Sequence, residues 1–113
     1  MEIKNFTQEG HTIVELSGSL DSNTTTQAQE TILPLVVSKC CMIMDLTKCN
    51  YISSAGLRLL LMAAKQLTNA GGWLTLAGLS DEIKDVMEMT GFSAFFKAYP
   101  TVKEAMVAIA KER

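Results

Sequence analysis

The stretch that most constrains the fold is Cys41-Met-Ile-Met-Asp-Leu46, a nearly continuous apolar run containing one carboxylate. A strand with one wet face alternates apolar and polar residues, whereas a strand covered on both faces does not. Residues 41–46 therefore read as a central strand with helices packed over it. After a polar turn, Leu57, Leu60, Leu61, Ala64 and Leu67 recur at helical spacing until Asn69-Ala-Gly-Gly72 stops the pattern, so a helix with a buried stripe follows that strand. The junction between them is Ser53-Ser54-Ala55-Gly56. Serine is a preferred N-cap because its hydroxyl oxygen accepts from an amide that the helix start leaves unpaired. One of the two serines is expected to cap the helix. The other is then a hydroxyl at the positive end of a helix dipole, where a phosphate is tolerated.

The rest of the chain supplies the partners of that unit. Residues 3–6 and 12–17 are short β-favouring runs separated by Gln8-Glu9-Gly10, and read as a strand pair. Gly18-Ser-Leu-Asp21 closes the second strand, and Asp21, Ser22 and Asn23 suit a helix start near residue 23. Pro34 either stops this helix near Leu33 or kinks it there; a kink, with continuation to about Ser38, is the expectation. Residues 73–77 alternate as a strand, and Ser80 caps a helix that Gly91 ends, with Phe92 placed for the accompanying apolar contact. Residues 95–97 are a candidate last strand, and Thr101-Val-Lys-Glu104 has the form of a capping box before a helix whose buried face is Val102, Ala105, Met106 and Ile109. This order implies an α/β fold: one domain over residues 1–113, with a mainly parallel sheet of four to five strands and about four helices. Functional groups in such sheets collect at the carboxyl ends of the strands.

Composition narrows the function. With a formal charge of −2, a pI near 5.3 and no run of Lys or Arg, nucleic-acid binding is disfavoured. No window approaches a membrane span, and the alternating start Met1-Glu-Ile-Lys-Asn-Phe6 lacks the basic segment and apolar run of a signal peptide, so a cytoplasmic location is expected. Cys40, Cys41 and Cys49 read as reduced thiols. Adjacent strand residues point to opposite faces, so these cysteines with His11 are not expected to hold a metal, and no cofactor is expected.

Catalysis by Ser54 lacks a base. The Gly-x-Ser-x-Gly pattern is absent, and His11, the one histidine, lies in the turn of the first strand pair. A phospho-acceptor role for Asp45 lacks the adjacent acidic pair that holds magnesium, and no Gly-x-x-x-x-Gly-Lys loop is present. A serine that is acted upon remains. Phosphorylation adds about −1.5 to −2 charges and three acceptor oxygens, which at a helix start alter docking more than folding. Leu59 and Met62, beside Arg58 on the outward face of the helix, are the expected docking surface.

Gly18-Ser-Leu-Asp21, Ile43-Met-Asp-Leu-Thr47 and Tyr51-Ile-Ser-Ser-Ala-Gly-Leu57 together resemble the STAS domain of bacterial anti-sigma factor antagonists, over essentially the whole chain. The resemblance implies a non-enzymatic partner switch. Unphosphorylated, such a protein binds a serine-kinase anti-sigma factor; phosphorylated by it, the protein lets go, and a serine phosphatase restores it. The family's phosphorylated serine, two positions before the glycine, falls on Ser54, with Ser53 a less favoured acceptor. Asp21, Ser53 and Gly56 join Arg58, Leu59 and Met62 as expected partner-binding residues, while Asp45 and Thr47 are expected to be structural neighbours of the site. The rival reading is a STAS subunit or scaffold of a transporter or other assembly in which Ser54 is never phosphorylated.

Overall fold

The computed structural model describes residues 1–112. In chain order the strands are β1 (Glu2–Gln8), β2 (His11–Leu20), β3 (Cys41–Asp45), β4 (Cys49–Ile52), β5 (Trp73–Ala77) and β6 (Lys97–Tyr99); the helices are α1 (Thr25–Ile32), α2 (Ser54–Asn69), α3 (Asp81–Thr90) and α4 (Val102–Glu112). The sheet runs β1-β2-β3-β5-β6, with β4 added beside the far end of β2. β1 pairs antiparallel with β2, and every other pairing is parallel. The apolar run does occupy the centre: β3 lies between β2 and β5, and Met42, Ile43 and Met44 are fully buried.

Strand alternation divides the core in two. Val14, Leu16, Met42, Met44 and Leu76 point to one face, where they meet Ala28 and Ile32 of α1, Leu57 and Leu60 of α2, and Ile83 and Met87 of α3. Ile13, Ile43 and Ala77 point to the other, where α4 covers them with Ala105, Met106 and Ile109. Three crossover helices thus share one face, and α4 alone covers part of the opposite one.

Local chemistry sets the element ends. Ser80 Oγ accepts from Ile83 N–H at 3.2 Å and Gly91 adopts φ +78°, so α3 starts and stops where its sequence indicates. Thr101 Oγ1 accepts from the amide of Glu104 at 3.1 Å at the start of α4.

Four expectations are corrected. α1 does not kink and continue to Ser38: it ends at Ile32 and tightens into a 3₁₀ turn at Leu33–Leu35, after which Val36 is extended. Pro34 sits at the start of that turn, where its missing N–H removes no helical bond. The last strand begins at Lys97, because Phe92–Phe95 form a 3₁₀ turn whose Phe92 and Phe95 rings meet edge to face at 6.3 Å. The buried arc of α2 is Gly56, Leu57, Leu59, Leu60, Ala63 and Leu67, with Leu61 and Ala64 only half-buried, because α2 packs on α1 as well as on β4 and β5. Finally, β4 makes a sixth strand where a turn was expected.

Leu60 is fully buried between α2 and the sheet. Leu60→Ala is expected to cost about 2–5 kcal/mol in denaturant unfolding. Burial of Cys49 raises its thiol pKa above 9.0, outweighing the opposing backbone hydrogen bonds at Tyr51 and Leu20. Above the ordinary thiol value the unfolded chain releases this proton first, so the contribution present at lower pH is lost as pH rises. Thermal midpoints compared from pH 7 to 10 should therefore fall less steeply in Cys49→Ala than in the parent.

Candidate functional site

The site is built by a mismatch in strand length. β3 pairs with β2 only through Asp45 opposite Glu15, while β2 continues to Leu20. A short turn carries the chain from β3 to that unpaired end. Leu46 N–H donates to Ala77 C=O at 2.8 Å, and Asp45 Oδ1 accepts from Thr47 N–H at 3.0 Å and Thr47 Oγ1 at 2.5 Å. Gly18 N–H then donates to Lys48 C=O at 3.0 Å, and β4 adds in parallel, with Leu20 opposite Ile52. The ladder slips between Gly18 and Ser19, leaving Asn50 as the extra residue, whose Oδ1 accepts from Ser19 Oγ at 3.0 Å.

The last bond of this extension sets the helix start. Ser53 N–H donates to Leu20 C=O at 2.9 Å. Ser53 is extended (φ −88°, ψ 175°), and its Oγ accepts from Gly56 N–H at 3.2 Å, making it the N-cap of α2. Ser54 is the first helical residue and is exposed. The two adjacent hydroxyls are therefore unequal: Ser53 is committed to the helix, and Ser54 is presented to solvent at the positive end of the α2 dipole. No acidic residue stands in the first turn of α2, and exposed Arg58 lies one turn beyond Ser54.

The other expected site residues divide. Asp21 directly follows Leu20 and so lies beside Ser53. Its Oδ1 accepts from Asn23 N–H at 2.9 Å and Thr24 N–H at 3.2 Å, while its own N–H donates to Thr24 Oγ1 at 2.9 Å. The half-buried Asp21 thus organises the start of α1. Met62 is half-buried and packs against the core, leaving part of it on the surface near Arg58.

Leu59 does not face outward: it is 4% exposed and belongs to the core, because the apolar arc of α2 is wider than one stripe. Gly56 is buried as well, and a Cβ there would stand 2.6 Å from Leu20 C=O and 3.0 Å from the Leu20 side chain. Its hydrogen lets the first turn of α2 sit against the end of β2, and does not open the surface to a partner. Asp45 and Thr47 hydrogen-bond to each other in the turn after β3, away from the serines. Asp45 shares the α4 face with Ile43, and its partner Glu15 lies about 16 Å of strand before Leu20 along β2.

Tyr51, 54% exposed on β4 two residues before Ser53, has no strand signal around it, because Cys49-Asn-Tyr-Ile is too short to read as a strand. The aromatic-aliphatic pair Tyr51-Ile52 is the one local exception. His11 lies at the opposite end of β2 from Leu20. Among the described residues no group of three or more His, Cys, Asp or Glu is disposed to hold a metal ion, and no helix is long and apolar enough to cross a membrane.

The STAS domain model matches residues 2–105. This chain belongs to the STAS domain family. BtrV of Bordetella bronchiseptica, whose name assigns it provisionally as an anti-sigma factor antagonist, is 44% identical over 54 residues. That match covers 48% of this STAS chain and 47% of BtrV, about half the length of each. Among solved structures, an anti-sigma-factor antagonist (STAS) domain protein from Planctomyces limnophilus aligns with TM-score 0.89 at 20% identity, covering 96% of this chain and 97% of that one. SpoIIAA of Bacillus, in its phosphorylated form, aligns at 0.71 and 18%, covering 96% and 99%. The murine anion transporter Slc26a9 aligns at 0.78 and 14%, covering 92% of this chain and 18% of the transporter. At these identities the structures establish the shared fold.

The unequal serines are separable by stability. Ser53→Ala is expected to cost about 1 kcal/mol through loss of the cap, while Ser54→Ala should stay within about 0.5 kcal/mol of the parent. Gly56→Ala, which drives a Cβ against Leu20 backbone, should cost about 1–3 kcal/mol. Chemical denaturation of the three variants checks all of these.

Proposed function

We propose that this STAS protein is an anti-sigma factor antagonist that works by partner switching, with Ser54 as the phosphorylated residue. The observation that carries the reading is the division of labour between the serines. Ser53 Oγ is held by Gly56 N–H, and the Ser54 hydroxyl is exposed at the first position of α2. In the unphosphorylated state the protein binds a serine-kinase anti-sigma factor through the surface around Ser54, Arg58 and the exposed part of Met62, with Asp21 and the Ser53 backbone at its edge. The kinase transfers the γ-phosphoryl group of ATP to Ser54 Oγ, ADP leaves, and the serine proton passes to a base of the kinase.

The phosphate adds about −1.5 to −2 charges to a surface whose nearest cation along α2 is Arg58. It also meets the unpaired amides of the first helical turn, so α2 stays folded while the partner's docking surface changes sign. A serine phosphatase restores the binding form. Such a protein is a substrate and ligand of enzymes and itself catalyses nothing. It acts in the cytoplasm, where the kinase has ATP.

BtrV, matched over 48% of this chain, and SpoIIAA, solved in a phosphorylated form, support this reading. A second reading, a STAS scaffold of a transporter with Ser54 unmodified, is favoured by the likeness to the Slc26a9 domain. One measurement divides them. Incubation with a serine-kinase anti-sigma factor of the same organism and ATP should add one phosphoryl group to the peptide containing Ser53 and Ser54, with fragmentation assigning it to Ser54. An unmodified peptide would favour the scaffold. Ser54→Asp should weaken binding to that kinase at least tenfold in a direct titration with an unchanged circular dichroism spectrum, and Arg58→Glu should weaken it without unfolding.

A further inference from the structure

The sheet face that carries α4 is only half covered. Five strands in the β1-β2-β3-β5-β6 path span about 19 Å at about 4.8 Å per step, and one helix covers about 10 Å. α4 packs over β3, β5 and β6. The width left over β1 and β2 matches one further helix lying beside α4.

The surface left there is apolar where such a helix would sit. Phe6 stands directly opposite Ile13 in the β1–β2 ladder, on the α4 face, and remains 42% exposed. Val107 of α4 is 49% exposed across from it. Between them lies a groove of about 540 Å³, floored by Ile13 and Met106 and bounded by Val102. Its polar rim is acidic. Glu9, Glu15 and Asp45 line it, against the single ammonium of Lys103. Lys4, opposite Glu15 in the ladder, has its ammonium 3.3 Å from Glu2.

We propose that this groove docks one amphipathic helix of a partner protein, with an apolar face set between Phe6 and Val107 and Lys or Arg side chains reaching Glu9, Glu15 and Asp45. Apolar contact supplies the affinity, and the carboxylates select basic over acidic helices. α2 packs on the opposite face of the sheet, so this surface is separate from the one around Ser54 and does not depend on the reading given for that serine.

A synthetic fourteen-residue Leu/Lys amphipathic peptide, titrated into the ¹⁵N-labelled full chain beside a scrambled peptide of the same composition, tests the proposal. The expected result is at least tenfold tighter binding of the amphipathic peptide, with amide shifts centred on β1, the first half of β2 and the first half of α4. Phe6→Lys and Val107→Lys, both at exposed positions, should each abolish that preference, and Ser54→Asp should leave it intact. Equal binding of the two peptides, shifts centred elsewhere, or indifference to both Lys substitutions would overturn it. Sedimentation showing a dimer of the parent that Phe6→Lys dissociates would also overturn it, by assigning the face to a second copy of the chain.

Discussion

The structure depends on β2 being longer than its neighbours. Residues 11–17 make the antiparallel ladder with β1, residues 12–15 the parallel ladder with β3, and the last three residues receive β4. Without that extension Lys48 C=O and Ser53 N–H would lose their partners at Gly18 and Leu20, and the chain leaving β3 would have no edge on which to reach α2. Buried backbone amides and carbonyls must find partners. The bond from Ser53 N–H to Leu20 C=O is the last rung of this ladder and also the point from which α2 departs.

Two consequences follow for the serine pair. The rung holds Ser53 extended, and an extended residue immediately before a helix is an N-cap. Gly56 then brings the first turn of α2 onto Leu20, where a methyl group would meet backbone oxygen. The helix start is therefore pinned from two sides, by a hydrogen bond and by close packing. Ser54, one position on, carries neither duty. A residue free of structural work at a rigid helix start can change its charge without disturbing the fold that presents it.

The same sheet separates surfaces. Alternation in β3 sends Met42 and Met44 toward α2 and Ile43 and Asp45 toward α4. Asp45, which ends the central strand at one position of the family pattern, is thereby placed on the far face from the serines. It holds the turn that delivers the chain to β4. The uncovered half of the α4 face, with Phe6 and Val107, is a second exposed surface on the same rigid sheet, remote from the first.

Much of this was legible without coordinates. The apolar run of residues 41–46 announced a doubly covered strand, the capping signals of α3 and α4 stood at Ser80, Gly91 and Thr101, and Ser-Ser-Ala-Gly marked a helix start, because periodicity, capping and turn chemistry act over a few neighbouring residues. The burial of Leu59 is not legible in the sequence, because which flanks of an apolar helix are covered depends on its neighbours, here α1 as well as the sheet. β4 is not legible in the sequence because four residues, two of them exposed, carry no period of their own and become a strand only by pairing with Gly18–Leu20, far earlier in the chain. Sequence alone determined that a serine would cap α2 and that a second hydroxyl would stand beside it. Which serine caps and which is left exposed were decided by tertiary structure, because that choice rests on the register between β2 and β4 and on the packing of Gly56 against Leu20.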